Sequence, residues 1–324
     1  MGIGKGLGKL IFFGEHAAVH GYPALGTSLP WKISVEHETS EEGVWEFPSL
    51  PSSYRQPLLD VLKSLEDSLG HRLNRGILRL KSDVPIGSGF GSSGALCAAL
   101  VQALNPGTFQ ENWKLAHEAE KNFHGKPSGI DTALALREGI TAFTPREKGL
   151  PTPETLPGFN LHLVVGAIPR EQSTKDLVQG ISKRVLDQEP KVLEIMKQLG
   201  TLAENAINSL KKGTASGVTW GLWANQAQEL LEALNLTNPL LESILTQGRK
   251  VGSLGGKLSG AGGGGAFFLI YPDAQAAQAG KKDLKEWGQL KGLSWTREPE
   301  ALRWDMEYQK MTLGRSAFDS LFGG

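Results

Sequence analysis

The chain has 324 residues, which is enough for about two domains and a sizeable core. Thirty-four Lys and Arg balance 34 Asp and Glu. The zero formal charge argues against a generic binder of nucleic acid or of anionic membranes, which needs a basic excess. A 40% hydrophobic share is too high for disorder, and the single cysteine, Cys97, excludes an internal disulfide framework. No run approaches the roughly 20 apolar residues of a bilayer span. Glu15 and His16 interrupt Leu10–Phe13 before a secretory signal could form. The expectation is a cytoplasmic protein.

In chain order, Lys9–Phe13 and Thr27–His37 read as strands. Leu58–Leu69 has helical spacing, with Leu58, Leu62, Leu65 and Leu69 on one face. Gly76–Lys81 reads as a strand, Ser92–Leu104 and Gln110–Phe123 as helices, and Gly139–Phe143 as a strand. Residues 146–158, rich in proline and glycine, are the best boundary, which divides the chain into domains 1–155 and 156–324. Beyond it come a strand at Leu161–Ile168 and helices around 174–187, 190–211, 217–233 and 239–250. A strand at 266–271, a helix near 274–287 and a short strand near 292–296 follow. The last 25 residues show no clear pattern. Periodicity alone therefore gives mixed α and β.

The 41 glycines are close to twice the usual share of about 7%, and they are clustered. One cluster is Gly2–Gly14, in which the glycines from Gly2 to Gly8 alternate strictly. A second is Pro85-Ile-Gly-Ser-Gly-Phe-Gly-Ser-Ser-Gly94, and a third is Gly255–Gly265 with seven glycines in eleven positions. The second places a Gly-Ser-Ser loop at the start of a helix. Helix starts leave N–H groups unpaired and carry partial positive charge, and glycines let that backbone approach an anion. This is a phosphate cradle by physical argument. The plain alternative is a tight turn with Ser92 as N-cap. A P-loop is absent because no Gly-Lys pair is followed by Ser or Thr. A serine-hydrolase elbow fails at Ser93, where Ala95 replaces the last glycine. The third cluster leads directly into an apolar strand, which suits backbone passing against a ligand. Between them, Glu120 lies late in a helix and Asp131 follows a Pro-Ser-Gly turn.

These three clusters, in this order, resemble the three signature motifs of the GHMP kinase superfamily, from Lys9 to about Tyr271. Gly14-Glu-His-Ala-Ala-Val-His-Gly21 and His124-Gly-Lys-Pro-Ser-Gly-Ile-Asp-Thr132 are most similar to its mevalonate kinase branch. The resemblance implies an α+β, two-domain fold, with an N-terminal domain like domain 2 of ribosomal protein S5 and a ferredoxin-like C-terminal domain. It implies ATP- and Mg²⁺-dependent phosphorylation of the primary hydroxyl of mevalonate to 5-phosphomevalonate. Carried over residue by residue, Gly87, Gly89, Gly91, Ser92, Ser93 and Gly94 would cradle the ATP phosphates. Ser93 and Glu120 would hold Mg²⁺. Asp131 would face the acceptor hydroxyl as base or positioning group, with Lys9 beside it. Glu15, His16, Arg170, Ser173 and Thr174 would contact the acceptor, and Ser259, Gly260, Gly262 and Gly263 would close over the nucleotide phosphates. Phe90, Gly94 and the two residues separating Arg170 from Ser173 depart from the common pattern.

Other readings stay open beside this one: another acceptor such as phosphomevalonate or a sugar or heptose phosphate, and a silent nucleotide- or metabolite-binding sensor. A silent relative would be expected to lose at least one of Lys9, Glu120 and Asp131, and all three are present. The expected partners are small molecules, not nucleic acid or membrane, and a homodimer is left open. His16 and His20 have the i, i+4 spacing of zinc ligands, without a third ligand nearby. Cys97 reads as a small core residue, and Trp220 and Trp223 as packing anchors.

Overall fold

A computed structural model describes residues 1–48, 50–124, 127–307 and 309–314. The chain forms two compact units from interleaved segments. Unit 1 comprises Met1–Lys9, Trp31–Ile86 and Phe90–Glu138, and unit 2 comprises Leu10–Pro30, Gly87–Gly89 and Gly139–Gly324.

Strand β1 (Gly2–Phe13) begins seven residues before the expected Lys9. Its early part looks unlike a strand because glycine is a poor strand former. The strict alternation puts Gly2, Gly4 and Gly6 on one face. That face lies against helix α2 (Ser92–Leu104). A Cβ on these three glycines would run into the carbonyl oxygens of Ala103, Ala99 and Ala95. Two strand residues advance about 6.6 Å and four helix residues about 6 Å, so the two repeats stay in step across the contact. Packing overrides propensity here.

The rest of unit 1 builds around this pair. Strand β2 (Ala24–Thr39) pairs antiparallel with β3 (Gly76–Ser82) over Ile33–Thr39. Helix α1 (Ser52–Leu69) buries Leu58, Val61, Leu62 and Leu65. Helix α3 (Phe109–His124) buries Trp113, Ala116, Ala119 and Glu120 on one face, and α4 (Ile130–Leu136) follows.

In unit 2 the first residues of β2, Ala24–Thr27, pair with β4 (Ile140–Thr144), which pairs with β5 (Thr152–Leu156). Residues 146–158, read as a boundary, thus contain a strand. It ends the strand order, where a proline such as Pro153 is tolerated. A second antiparallel sheet has the order β10-β9-β6-β8-β7, from β6 (His162–Ile168), β7 (Gly255–Leu258), β8 (Gly265–Tyr271), β9 (Arg297–Asp305) and β10 (Lys310–Leu313). Strands β6 and β8 are buried along their whole length, which is why they read as unbroken apolar runs. Helices α5 (Thr174–Leu186), α6 (Pro190–Lys211), α7 (Gly217–Ala233), α8 (Pro239–Lys250) and α9 (Ala274–Leu290) complete the unit. Trp220 is fully buried, with Phe12 and Phe13 edge-on to its ring at 5.2 and 5.5 Å.

The strand expected near 292–296 is displaced. Trp295 folds back onto Gly288 of α9 and lies near Phe267, and β9 begins only at Arg297. Its sequence, Arg297–Asp305, buries Pro299, Ala301, Leu302 and Trp304 under an alternation masked by charges. Residues 315–324, part of the C-terminal stretch without pattern, lie outside the described residues. Among the described residues no helix is long and apolar enough to cross a membrane.

Replacing Gly4 or Gly6 by Ala should lower unfolding free energy by about 1–3 kcal/mol in urea titrations, because helix backbone occupies the added volume. Gly180→Ala in α5, where the new methyl meets nothing within 4 Å, should instead add about 0.5–1 kcal/mol. Equal, small effects at Gly6 and Gly180 would refute the close contact.

Candidate active site

The first cluster lies wholly in unit 1. Gly91, in left-handed geometry at φ 76°, precedes α2, and no side chain caps the helix. The N-cap is therefore this glycine and not Ser92. Ser92 and Ser93 occupy the first turn, where backbone N–H groups and the helix dipole favour an anion. Lys9 sits near the unit 1 end of β1, only 4% exposed, and its backbone N–H donates to Phe90 O at 2.9 Å. Its alkyl stem lies where a Cβ on Gly91 would fall. Lys9 Nζ is 3.3 Å from Asp131 Oδ2.

Asp131 lies in the first turn of α4, whose start is held from behind. Trp113 Nε1 donates to Gly129 O at 2.8 Å, and Thr132 Oγ1 donates to the same carbonyl at 3.1 Å. Gly94 faces the Asp131 backbone so closely that an added Cβ would stand 3.1 Å from its carbonyl carbon. The departure from the usual residue at this position thus matches a close approach of α2 to Asp131.

Glu120 is 1% exposed. Ser93 Oγ lies 3.3 Å from Glu120 Oε1 and 2.9 Å from His124 Nε2, while Glu120 Oε2 has no hydrogen-bond partner among the described residues. Burial first, then the Asp131 charge, push the Glu120 carboxyl up to about 8, against the opposing pull of Lys9 and Ser93. Cys97, one turn along α2 from Ser93, is fully buried. Burial and the neighbouring Glu120 hold its thiol well above the usual range, so it is no nucleophile. Gly125 and Lys126, which join His124 to Pro127, lie outside the described residues.

The second cluster lies wholly in unit 2. Glu15 and His16 follow β1, and both are buried. His16 adopts φ 59°, a costly conformation for a residue with a side chain, and precedes a 3-10 turn at Ala17–His20. Its Nε2 donates to Ala261 O at 3.0 Å, leaving Nδ1 buried as an acceptor without a partner among the described residues. Burial lowers the ring to about 4, so it is neutral near pH 7. Glu15 forms an ion pair with Lys257, which is completely buried and also donates to Leu258 O at 2.6 Å. The Ser259 hydroxyl donates to Ile11 O at 3.0 Å and accepts from Ile11 N at 2.8 Å. Three links therefore bind residues 11–16 to 257–261.

Gly260, Gly262 and Gly263 form the turn between β7 and β8, packed on Leu236 and Leu177. Gly263 N donates to Leu236 O at 2.8 Å, so the glycine run is a fitted turn. Gly87 and Gly89 also belong to unit 2. The Arg170 guanidinium lies against Gly89 and Gly265, and it hydrogen-bonds Thr174 Oγ1. Ser173 caps α5, accepting from Asp176 N at 3.1 Å and donating to Asp176 Oδ2 at 2.7 Å.

Sequence reading takes His124 for a solvent-facing or turn residue, whereas it lies 2.9 Å from Ser93 Oγ, and it assigns no role to Trp113, Lys257, Asn225 or Gln228. The last two, on α7, accept from Gly256 N at 3.2 Å and Leu258 N at 2.9 Å, satisfying the outer side of β7. His124 and Lys257 stood inside the quoted motifs; the α7 amides carried no sequence signal. Among the described residues no three His, Cys, Asp or Glu side chains converge as a metal group.

Two family models match the chain: the GHMP kinases N-terminal domain over residues 57–139 and the GHMP kinases C-terminal domain over residues 209–290, together just over half of it. The chain belongs to the GHMP kinase family. A curated relative named mevalonate kinase, from Thermococcus gammatolerans, is 29% identical over 84% of this chain and 89% of its own length. The structure of L. major mevalonate kinase in complex with R-mevalonate is similar, with a TM-score of 0.73, 26% identity, and coverage of 88% of this chain and 92% of that one. The fold also matches that of Streptococcus pneumoniae phosphomevalonate kinase, with a TM-score of 0.72, 19% identity, and coverage of 89% and 97%.

His16 makes stability depend on pH. Its folded value near 4 lies below the ordinary 6.5, so the unfolded chain binds more protons between them. Stability from this group is present above 6.5 and is lost as pH falls through 4, on the order of 3 kcal/mol in all. Urea midpoints should fall more steeply for the wild type than for His16→Gln as pH is lowered from 7 to 4. Parallel curves would contradict a buried neutral ring.

Proposed function

We propose that this chain transfers the γ-phosphoryl group of ATP to the primary hydroxyl of mevalonate, giving 5-phosphomevalonate, in the cytoplasm. The observation that carries the reading is the Lys9–Asp131 pair beside the uncapped, glycine-led start of α2. Phosphoryl transfer needs an oriented hydroxyl and donors for the developing charge more than it needs covalent chemistry. Asp131 accepts the hydroxyl's hydrogen bond and orients it, and Lys9 faces the transferring group. Gly91, Ser92, Ser93 and Gly94 cradle the phosphates. The name of the Thermococcus relative and the mevalonate bound by the L. major enzyme support the choice of acceptor.

A divalent cation fits the donor set. The buried Glu120 carboxyl has an oxygen without a partner among the described residues and is pushed up to about 8, which a cation beside it would offset. Ser93 and Glu120 would hold Mg²⁺, a hard ion that prefers such oxygens and supplies neutralisation of phosphate charge. Within unit 2, His16 presents Nδ1 as a hydrogen-bond acceptor, and the Arg170 guanidinium bonds the Thr174 hydroxyl. Glu15 acts through its pairing with Lys257, and Ser173 by capping α5. The Ser259 donor is committed to Ile11.

The test is ADP release with ATP and Mg²⁺ across mevalonate, phosphomevalonate, galactose and homoserine. Turnover is expected with mevalonate, and Asp131→Asn should lower kcat by more than about 100-fold with ATP affinity nearly unchanged. Turnover with another acceptor alone would replace mevalonate, and near-normal turnover of the variant would remove Asp131 from the reaction.

A further inference from the structure

The geometry points to His124 as a positioning residue: its Nε2 takes the Ser93 hydroxyl proton in a hydrogen bond and thereby leaves the Ser93 lone pairs and both Glu120 oxygens available to a divalent cation. The inference rests on the functional reading above. Helix α3 carries Glu120 and His124 one turn apart, on neighbouring positions of one face. Between them stands a single hydroxyl, 2.9 Å from the imidazole and 3.3 Å from the carboxylate. A serine hydroxyl has one proton and two lone pairs. While the proton points to Glu120, as it can in the metal-free chain at 3.3 Å, it holds that carboxyl down, serine and carboxylate satisfy each other, and the donor set is closed. Turned to the nearer imidazole, it leaves oxygen acceptors facing the same point, the arrangement a hard cation prefers. The ring itself contributes no ligand. It selects the orientation of one, as groups behind metal ligands commonly do.

The experiment is Mn²⁺ binding to the protein with ADP, read from the free-Mn²⁺ electron paramagnetic resonance signal, alongside thermal unfolding. His124→Leu removes the acceptor, and His124→Gln keeps a carbonyl oxygen in its place. The leucine variant should bind Mn²⁺ at least about tenfold more weakly, and the glutamine variant within about threefold of wild type, as expected for loss and rescue of an orienting partner. His124→Phe, closer in volume, replaces the leucine variant if that one does not fold. Wild-type affinity in the variant without an acceptor, or equal losses in both, would overturn the role of His124 while leaving the functional reading intact. Failure of the wild-type protein to bind Mn²⁺ with ADP would overturn both.

Discussion

The contact between the glycine face of β1 and the backbone of α2 is the constraint on which the unit 1 cluster depends. Side chains at Gly2, Gly4 or Gly6 would push the helix away. With none there, α2 lies directly on the strand, and its first turn falls beside Lys9. The same closeness recurs twice more: the Lys9 stem fills the space beside Gly91, and the Asp131 backbone fills the space beside Gly94. Strand end, helix start and aspartate are thus located by backbone packing, and the ion pair of Lys9 with Asp131 follows from it.

That packing carries an electrostatic cost. Glu120 is buried close enough to Asp131 to feel its charge, with Lys9 as the opposing cation. Removing a carboxylate from water favours its neutral form, and a second negative charge favours it further. A site left in that condition is suited to a cationic ligand. Unit 2 handles charge differently. Glu15 and Lys257 are buried together, so the pair contributes rigidity around His16 and the glycine turn at 260–265 more than net stability.

Much of this was legible in the sequence, and the limits have physical causes. Fully buried β6 and β8 announce themselves as apolar runs, and α1 by its leucine spacing. The start of β1 was hidden because its helix-facing residues are glycines, whose alternation registers as an absence of side chains. Strand β9 was hidden by charges on its exposed face, and β5 by its prolines. In the candidate site, Lys9, Ser93, Glu120 and Asp131 stood out through motif and chemistry. The Glu15–Lys257 pair could not be read, because it joins positions 242 apart in sequence. Ser173 and Ser259 look like ligand hydroxyls in the sequence, yet both are occupied by their own backbone surroundings. Hydrogen-bond saturation is a property of the folded chain alone.

The most direct measurement is a crystal structure of the protein with mevalonate and an ATP analogue. The account predicts the primary hydroxyl within hydrogen-bond distance of Asp131, with Lys9 facing the transferring phosphoryl group and the phosphates at the first turn of α2. A primary hydroxyl remote from Asp131, or phosphates away from Gly91–Gly94, would contradict it.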